Sequence, residues 1–176
     1  MTKRILIGLV LFAALIGAGN RVVHRGGGGG GAAWHDIVSD SSTNANDATA
    51  SVVMVWGAVA LPTGTATKIR AYIRSFSVPG GLRLGLYNNS GTLLDSSTVS
   101  VSATGYAEVT ISAAVTAGTY KVAKIPQGNN DFGVGYDNTT GTGDYNTAQT
   151  TYTLPGTLPS SEGAFTGAYA FGVYVE

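Results

Sequence analysis

Cysteine is absent from this chain of 176 residues, which excludes disulfides, thiolate metal sites and thiol catalysis. Charge is scarce as well: Asp, Glu, Lys and Arg make up 11% of the residues and cancel to a formal net charge of zero. No long-range field is available to recruit nucleic acid, so nucleic acid is not an expected partner. Histidine occurs only at His24 and His35, the first beside a glycine run and the second beside Trp34 in a polar segment, and neither is placed to activate a serine. Helical hydrophobic periodicity is missing after Ala18. The glycine run is not followed by Lys-Ser/Thr, so no phosphate-binding loop is encoded. Carboxylates for glycoside hydrolysis can be drawn from Glu108, Asp131, Asp137, Asp144 and Glu162, but any set of polar loops supplies such pairs by chance. The chain reads as non-catalytic.

What the chain has in quantity is glycine, 26 residues of it, together with many Thr and Ser, a composition that favours strands and turns. The stretch Thr67 to Tyr87 shows the pattern best. Ile69, Ala71 and Ile73 alternate with Lys68, Arg70, Tyr72 and Arg74; further on, Leu82, Leu84 and Leu86 alternate with Arg83, Gly85 and Tyr87. With Val78-Pro79-Gly80-Gly81 between them, the two runs are expected to form an antiparallel hairpin with one aliphatic face. That face requires cover from a second layer of sheet.

Ahead of this domain, Lys3 and Arg4 precede a 14-residue uncharged run from Ile5 to Ala18, and Gly17-Ala18-Gly19 supplies small residues after it. The order is that of a secretory signal cleaved after Gly19; as a helix the run would be ~21 Å long, short of a hydrocarbon core. If retained, it would be the chain's only route to a membrane. Gly26 to Gly31 reads as a flexible spacer, and Ala32 to Ala50 as polar and turn-rich, with one short strand over Trp34 to Val38 docking on the domain edge. Three segments are therefore expected: a signal-like stretch 1–19, a Gly-rich arm 20–50, and a domain 51–176. In the last, Ser51 to Leu61 is apolar on both faces and reads as a central strand. Thr92 to Ser102, Tyr106 to Ile111, Thr119 to Ile125, Phe132 to Tyr136, Thr147 to Leu154 and Tyr169 to Val175 follow. The expected fold is all-β, an antiparallel β-sandwich of jelly-roll type with eight or nine strands.

The succession KIRAYI, LRLGLYNNSGTLL, GYAEVTIS and VTAGTYKVA, from Lys68 to Ala123, resembles the carbohydrate-binding-module-like β-sandwich domains of bacterial extracellular proteins and phage surface proteins. The resemblance covers roughly a third of the chain and rests on structural motifs. It implies an extracellular or cell-surface setting and a recognition role, with carbohydrate as ligand; a structural subunit of a filament, coat or virion, with neighbouring subunits as partners and a homo-oligomeric state, is the second expectation. Alternation puts Lys68, Arg70, Tyr72, Arg74 and Arg83 on an outer face suited to an acidic partner. In Asn129 to Asn146, a segment read as loops, Tyr145 is the candidate sugar platform, while Tyr136 is in phase with Phe132 and Val134 and belongs to the core. Asp131, Asp137 and Asp144 offer the hard oxygens that Ca²⁺ selects, so a structural calcium is the one cofactor considered. Asn, Asp and Gly also occur there simply because turns need them.

Overall fold

The computed structural model describes residues 31–39, 45–48, 54–127, 131–147 and 151–176. The signal-like stretch 1–19 and nearly all of the glycine spacer lie outside the described residues. What is described is all-β and antiparallel, without a helix. Eleven strands occur rather than eight or nine: β1 (Ala33–Asp36), β2 (Ala45–Ala48), β3 (Met54–Leu61), β4 (Gly64–Val78), β5 (Gly80–Tyr87), β6 (Leu93–Val101), β7 (Gly105–Val115), β8 (Gly118–Pro126), β9 (Asp131–Asn146), β10 (Gly163–Tyr169) and β11 (Phe171–Val175). They join one sheet in the order β1-β11-β4-β9-β3-β8-β5-β6, with β7 added to β4 and both β2 and β10 added to β9.

β4 and β9 are long strands that change partners along their length. The first part of β4 pairs with β7 and β11, and its last part with β9; β9 in turn meets β4, β2, β10 and β3. Register shifts at Ala66/Lys68, Ile73/Ser75 and Phe76/Val78 mark bulges in β4. Each bulge bends the strand and strengthens its twist, so the sheet curls around its own inner face. The first bulge also resets the alternation, which lets Ala66 and Ile69 both point inward.

The inner face is the main core. Val55, Val59, Ile69, Ala71, Ile73, Leu82, Leu84, Leu86, Val109, Ile111, Val122, Val134, Phe171 and Val173 share one cluster, drawn from seven strands. Burying each of the larger aliphatic side chains contributes roughly 1.5–3 kcal/mol before entropy is counted. In β8 the inward phase runs Tyr120, Val122, Lys124, so a lysine enters this core. Lys124 is fully buried, with Nζ 5.1 Å from the centre of the Tyr169 ring.

A second cluster lies on the opposite face of β3, β8 and β5, where Met54, Trp56, Tyr87, Ala123 and Ile125 are covered by Leu154. The covering segment, 151–158, is not a strand, although Thr147 to Leu154 was expected to be one. It is pinned instead by Tyr87 Oη donating to the Pro155 carbonyl (2.8 Å), by Leu158 N–H to Gly91 O (2.7 Å) and by Leu93 N–H to Gly156 O (2.8 Å). Gly85 makes this cover fit, because a Cβ there would collide with Leu154 Cδ1.

Two further expectations are corrected. The β4/β5 hairpin does not form: β5 pairs with β6 and β8, and only Pro79 separates β4 from β5, so the chain turns a corner there and joins a different part of the sheet. The two aliphatic stripes then enter one shared core cluster from separate places in the curled sheet. The Asn- and Gly-rich segment, expected as a short strand over Phe132 to Tyr136 within a loop region, is one long strand, β9. A neighbour's ring fills the space over one of its glycines, Phe165 over Gly143, and reciprocally Tyr145 fills that over Gly163 on β10. The expectation for Ser51 to Leu61 holds for the described part, since β3 lies between β8 and β9 and Met54 to Gly57 are buried on both faces. β1 and β2, from the stretch 20–50, also join the sheet, and Ile37 packs against the main core.

Candidate functional site

Cross-strand register places three rows of side chains on the outer face of β1, β11, β4 and β7. The first row is Trp34, Tyr174, Lys68 and Thr110; the second is Asp36, Gly172, Arg70 and Glu108; the third pairs Tyr72 with Tyr106. Ile69, Ala71, Ala107 and Val109 anchor the same strands in the core, which fixes the outward phase of these rows.

Arg70 is the centre of the face. Its guanidinium carbon stands 4.1 Å from the ring centre of Trp34 and 4.1 Å from that of Tyr106. Trp34 in turn lies 5.3 Å from Tyr174, and Tyr106 lies edge-to-face with Tyr72 at 5.4 Å. The five side chains therefore form one stack across four strands, in the order Tyr174, Trp34, Arg70, Tyr106, Tyr72. Stacking of a cation on ring faces is favourable by about 0.5–2 kcal/mol per contact, depending on desolvation.

The charge of Arg70 is met by Asp36. Nε donates to Oδ1 (3.1 Å), and Nη2 donates to Oδ1 (3.0 Å) and Oδ2 (2.8 Å). This forked geometry is the strong form of the Arg–carboxylate pair. Gly172 lies directly beneath it, and a Cβ at that position would collide with Asp36 Oδ1 and stand 3.0 Å from Arg70 Nε. The pair thus depends on a missing side chain on β11. Glu108 faces Arg70 across the β4–β7 ladder but is exposed and leaves the ion pair to Asp36. Asp95 is used elsewhere, accepting from Ser112 N–H (2.7 Å) and so tying β6 to β7.

The sequence-derived site residues divide accordingly. Lys68, Arg70 and Tyr72 share the face; Lys68 is exposed, with Nζ 6.0 Å from the Tyr174 ring centre. Arg74 is exposed within the bulge at Ile73/Ser75 and leaves the row. Arg83 belongs to a different part of the sheet, on β5, opposite Thr98 and Ile125. Tyr145 is half-buried against the main core rather than displayed, as is Tyr136. Of the three aspartates, the side chain of Asp131 lies outside the described residues. Asp137 is buried, with Oδ1 accepting from the Thr139 N–H (2.9 Å) and hydroxyl (2.6 Å), and Asp144 lies farther along β9 opposite Ala164. No group of three metal-ligating side chains is found among the described residues. Trp34, Asp36, Tyr106 and Tyr174 were not singled out from the sequence. For Asp36, Tyr106 and Tyr174 the signal was parity, since each adjoins an apolar inward residue (Ile37, Ala107 and Val173), whereas Trp34 lies between exposed Ala33 and half-buried His35 and carried no such signal.

At the end of the molecule where the β5–β6 and β7–β8 turns meet, Asn88, Asn89, Ser90, Thr116, Gly118, Thr119 and Tyr120 line a shallow polar cleft of about 350 Å³. Its polar groups are partly committed, since Tyr120 Oη donates to Thr116 O (3.0 Å) and Asn88 Oδ1 accepts from Thr92 N–H (2.8 Å). Compared with protein-family models, curated proteins and solved structures, the chain matches none.

Proposed function

We propose that this chain is a non-catalytic recognition module of β-sandwich, jelly-roll type, acting outside the cell or at its surface and binding carbohydrate across the face of β1, β11, β4 and β7. The observation that carries the reading is the stack of four aromatic side chains around a neutralised Arg70. Sugar C–H faces pack on aromatic rings, while hydroxyls accept hydrogen bonds from nearby ammonium groups, here Lys68, and donate them to carboxylates, here Glu108 and Asp36. Arg70 is positioned by its pair with Asp36 and holds the rings apart; Tyr106, 40% exposed, is the ring most open to a ligand. No cofactor is required by such binding.

The test is retention of the protein on a panel of neutral polysaccharides. Wild type is expected to be retained by at least one member, and Tyr106→Ala and Trp34→Ala to lose that retention while keeping a cooperative unfolding transition. Failure of wild type to bind any polysaccharide, or equal retention of both variants, would overturn the reading. A second reading, as a subunit of a surface filament, coat or virion, is supported by β1: it is a short edge strand following a glycine run, and a neighbouring copy has the same strand to offer. Concentration-dependent assembly in light scattering would select it.

A further inference from the structure

The outer face of β5 holds a polar cluster that is independent of the aromatic stack, since β5 pairs only with β6 and β8. Its rows are Ser100, Gly81 and Gln127, then Thr98, Arg83 and Ile125, as fixed by the two ladders and by Gln127 N–H donating to Gly81 O (2.9 Å). Tyr152, from the covering segment 151–158, closes over this surface. Its hydroxyl and Gln127 Oε1 both crowd the position that a Cβ on Gly81 would take, at 2.8 and 2.6 Å, so it is the bareness of Gly81 that lets the two polar groups converge. The Arg83 guanidinium carbon lies 5.6 Å from the centre of the Tyr152 ring.

Two features of this cluster are unusual together. Among the described residues, Arg83 Nε and Tyr152 Oη are buried atoms that meet no hydrogen-bond partner within bonding geometry, although the Thr98 side chain is close enough to the hydroxyl to offset part of the effect of burial on it. Buried donors are nearly always paired, and an unpaired one carries its full desolvation penalty. Among the described residues no acid forms an ion pair with Arg83. Its cross-strand neighbours are Thr98 and Ile125, and among the described residues the ion pair in the structure is that of Arg70. Burial also raises the Tyr152 phenol above its usual range, which keeps it a donor at neutral pH.

We propose that Arg83 and Tyr152, with Gln127 beside them, form a binding site for a small oxyanion group, a carboxylate or a sulfate. The guanidinium Nε–H and the tyrosyl O–H are two donors in need of an acceptor, and one oxyanion satisfies both while neutralising the charge. Tyr152 acts as the cover, which moves aside with segment 151–158 to admit the group.

The Arg83 Nε–H resonance of the full chain, assigned by its loss in Arg83→Gln, reports on the site directly. Sodium glucuronate and sodium sulfate are titrated separately against a sodium chloride control of equal ionic strength, with glucose as the neutral control. A saturable shift with glucuronate, sulfate or both supports the site, and the tighter of the two gives the source of the oxyanion. In Tyr152→Phe the affinity is expected to fall about tenfold, as for loss of one hydrogen bond to a charged partner. Without anion, the same variant should unfold at a midpoint no lower than wild type, because the hydroxyl it removes is unpaired. Absence of a shift with both anions, equal affinity of Tyr152→Phe, or marked destabilisation of that variant without anion would each overturn the proposal. None of these outcomes depends on retention by neutral polysaccharide.

Discussion

Replacing Gly172 with alanine gives a test in which the sign of the effect decides. In an extended strand, alanine is ordinarily better than glycine by roughly 0.5–1 kcal/mol, because glycine loses more freedom on folding. Gly172 is not one of the glycines with positive φ, so its backbone raises no objection to a side chain. The objection comes from Asp36 and Arg70, whose carboxylate and Nε occupy the space that the new methyl group requires. The pair they form is 31% and 15% exposed. That places its worth between the ~0–1 kcal/mol of surface pairs and the ~3–5 kcal/mol cost of breaking buried ones, at about 2 kcal/mol. Subtracting the entropic gain leaves Gly172→Ala destabilised by about 1 kcal/mol or more. Urea unfolding followed by far-UV circular dichroism and tryptophan fluorescence measures it, and Trp34 is stacked on the affected arginine. In an Asp36→Ala background the methyl group finds room, so the double variant should be more stable than the sum of the single effects by about 2 kcal/mol, the worth of the pair that both changes break. A Gly172→Ala protein more stable than wild type, or strict additivity, would refute this account.

Two further outcomes are expected. Burial raises the Tyr87 phenol well above its usual value, so the unfolded chain releases that proton first; stability should hold below pH about 10 and fall above it by roughly 1.4 kcal/mol per pH unit, as unfolding midpoints across alkaline pH will show. Tyr87→Phe should lessen that slope and cost about 1 kcal/mol at neutral pH through loss of the bond to Pro155. Removal of residues 1–39 takes away Trp34, Asp36 and Ile37 and bares the edge of β11, which should lower stability by at least about 2 kcal/mol in urea unfolding; an unchanged midpoint would show that β1 contributes nothing to the sheet.

The alternation of Ile69, Ala71 and Ile73, of Leu82, Leu84 and Leu86, and of Ala107, Val109 and Ile111 was readable because a buried face leaves a period of two in the chain itself. All nine residues are buried. Pairing was not readable. Arg70 meets Asp36 through β11, a strand more than a hundred residues away from either, and no local pattern encodes a register of that separation. The apparent turn at Pro79-Gly80-Gly81 misled for the same reason: it specifies a change of direction, and whether the next strand lies beside or across depends on where its aliphatic stripe finds cover. Beyond Tyr136 the Asn- and Gly-rich segment looked like loops because its glycines carry no pattern, whereas Gly143 is bare to admit the Phe165 ring from β10. Of the candidate face, Lys68, Arg70 and Tyr72 were legible as one side of a strand. The residues that give the face its shape come from other strands.

The antiparallel pairing of β1 with β11 puts Ala33 opposite Val175, so the leading end of the first strand and the trailing end of the last lie side by side. Tension applied through the two ends of the chain therefore does not shear this ladder, in which case its hydrogen bonds would share the load. It peels them one at a time, from Ala33 toward Asp36. Trp34 and then Asp36 would be carried off first, leaving Arg70 uncovered while the rest of the sheet is still intact; under a stretching force the aromatic face comes apart before the fold that supports it.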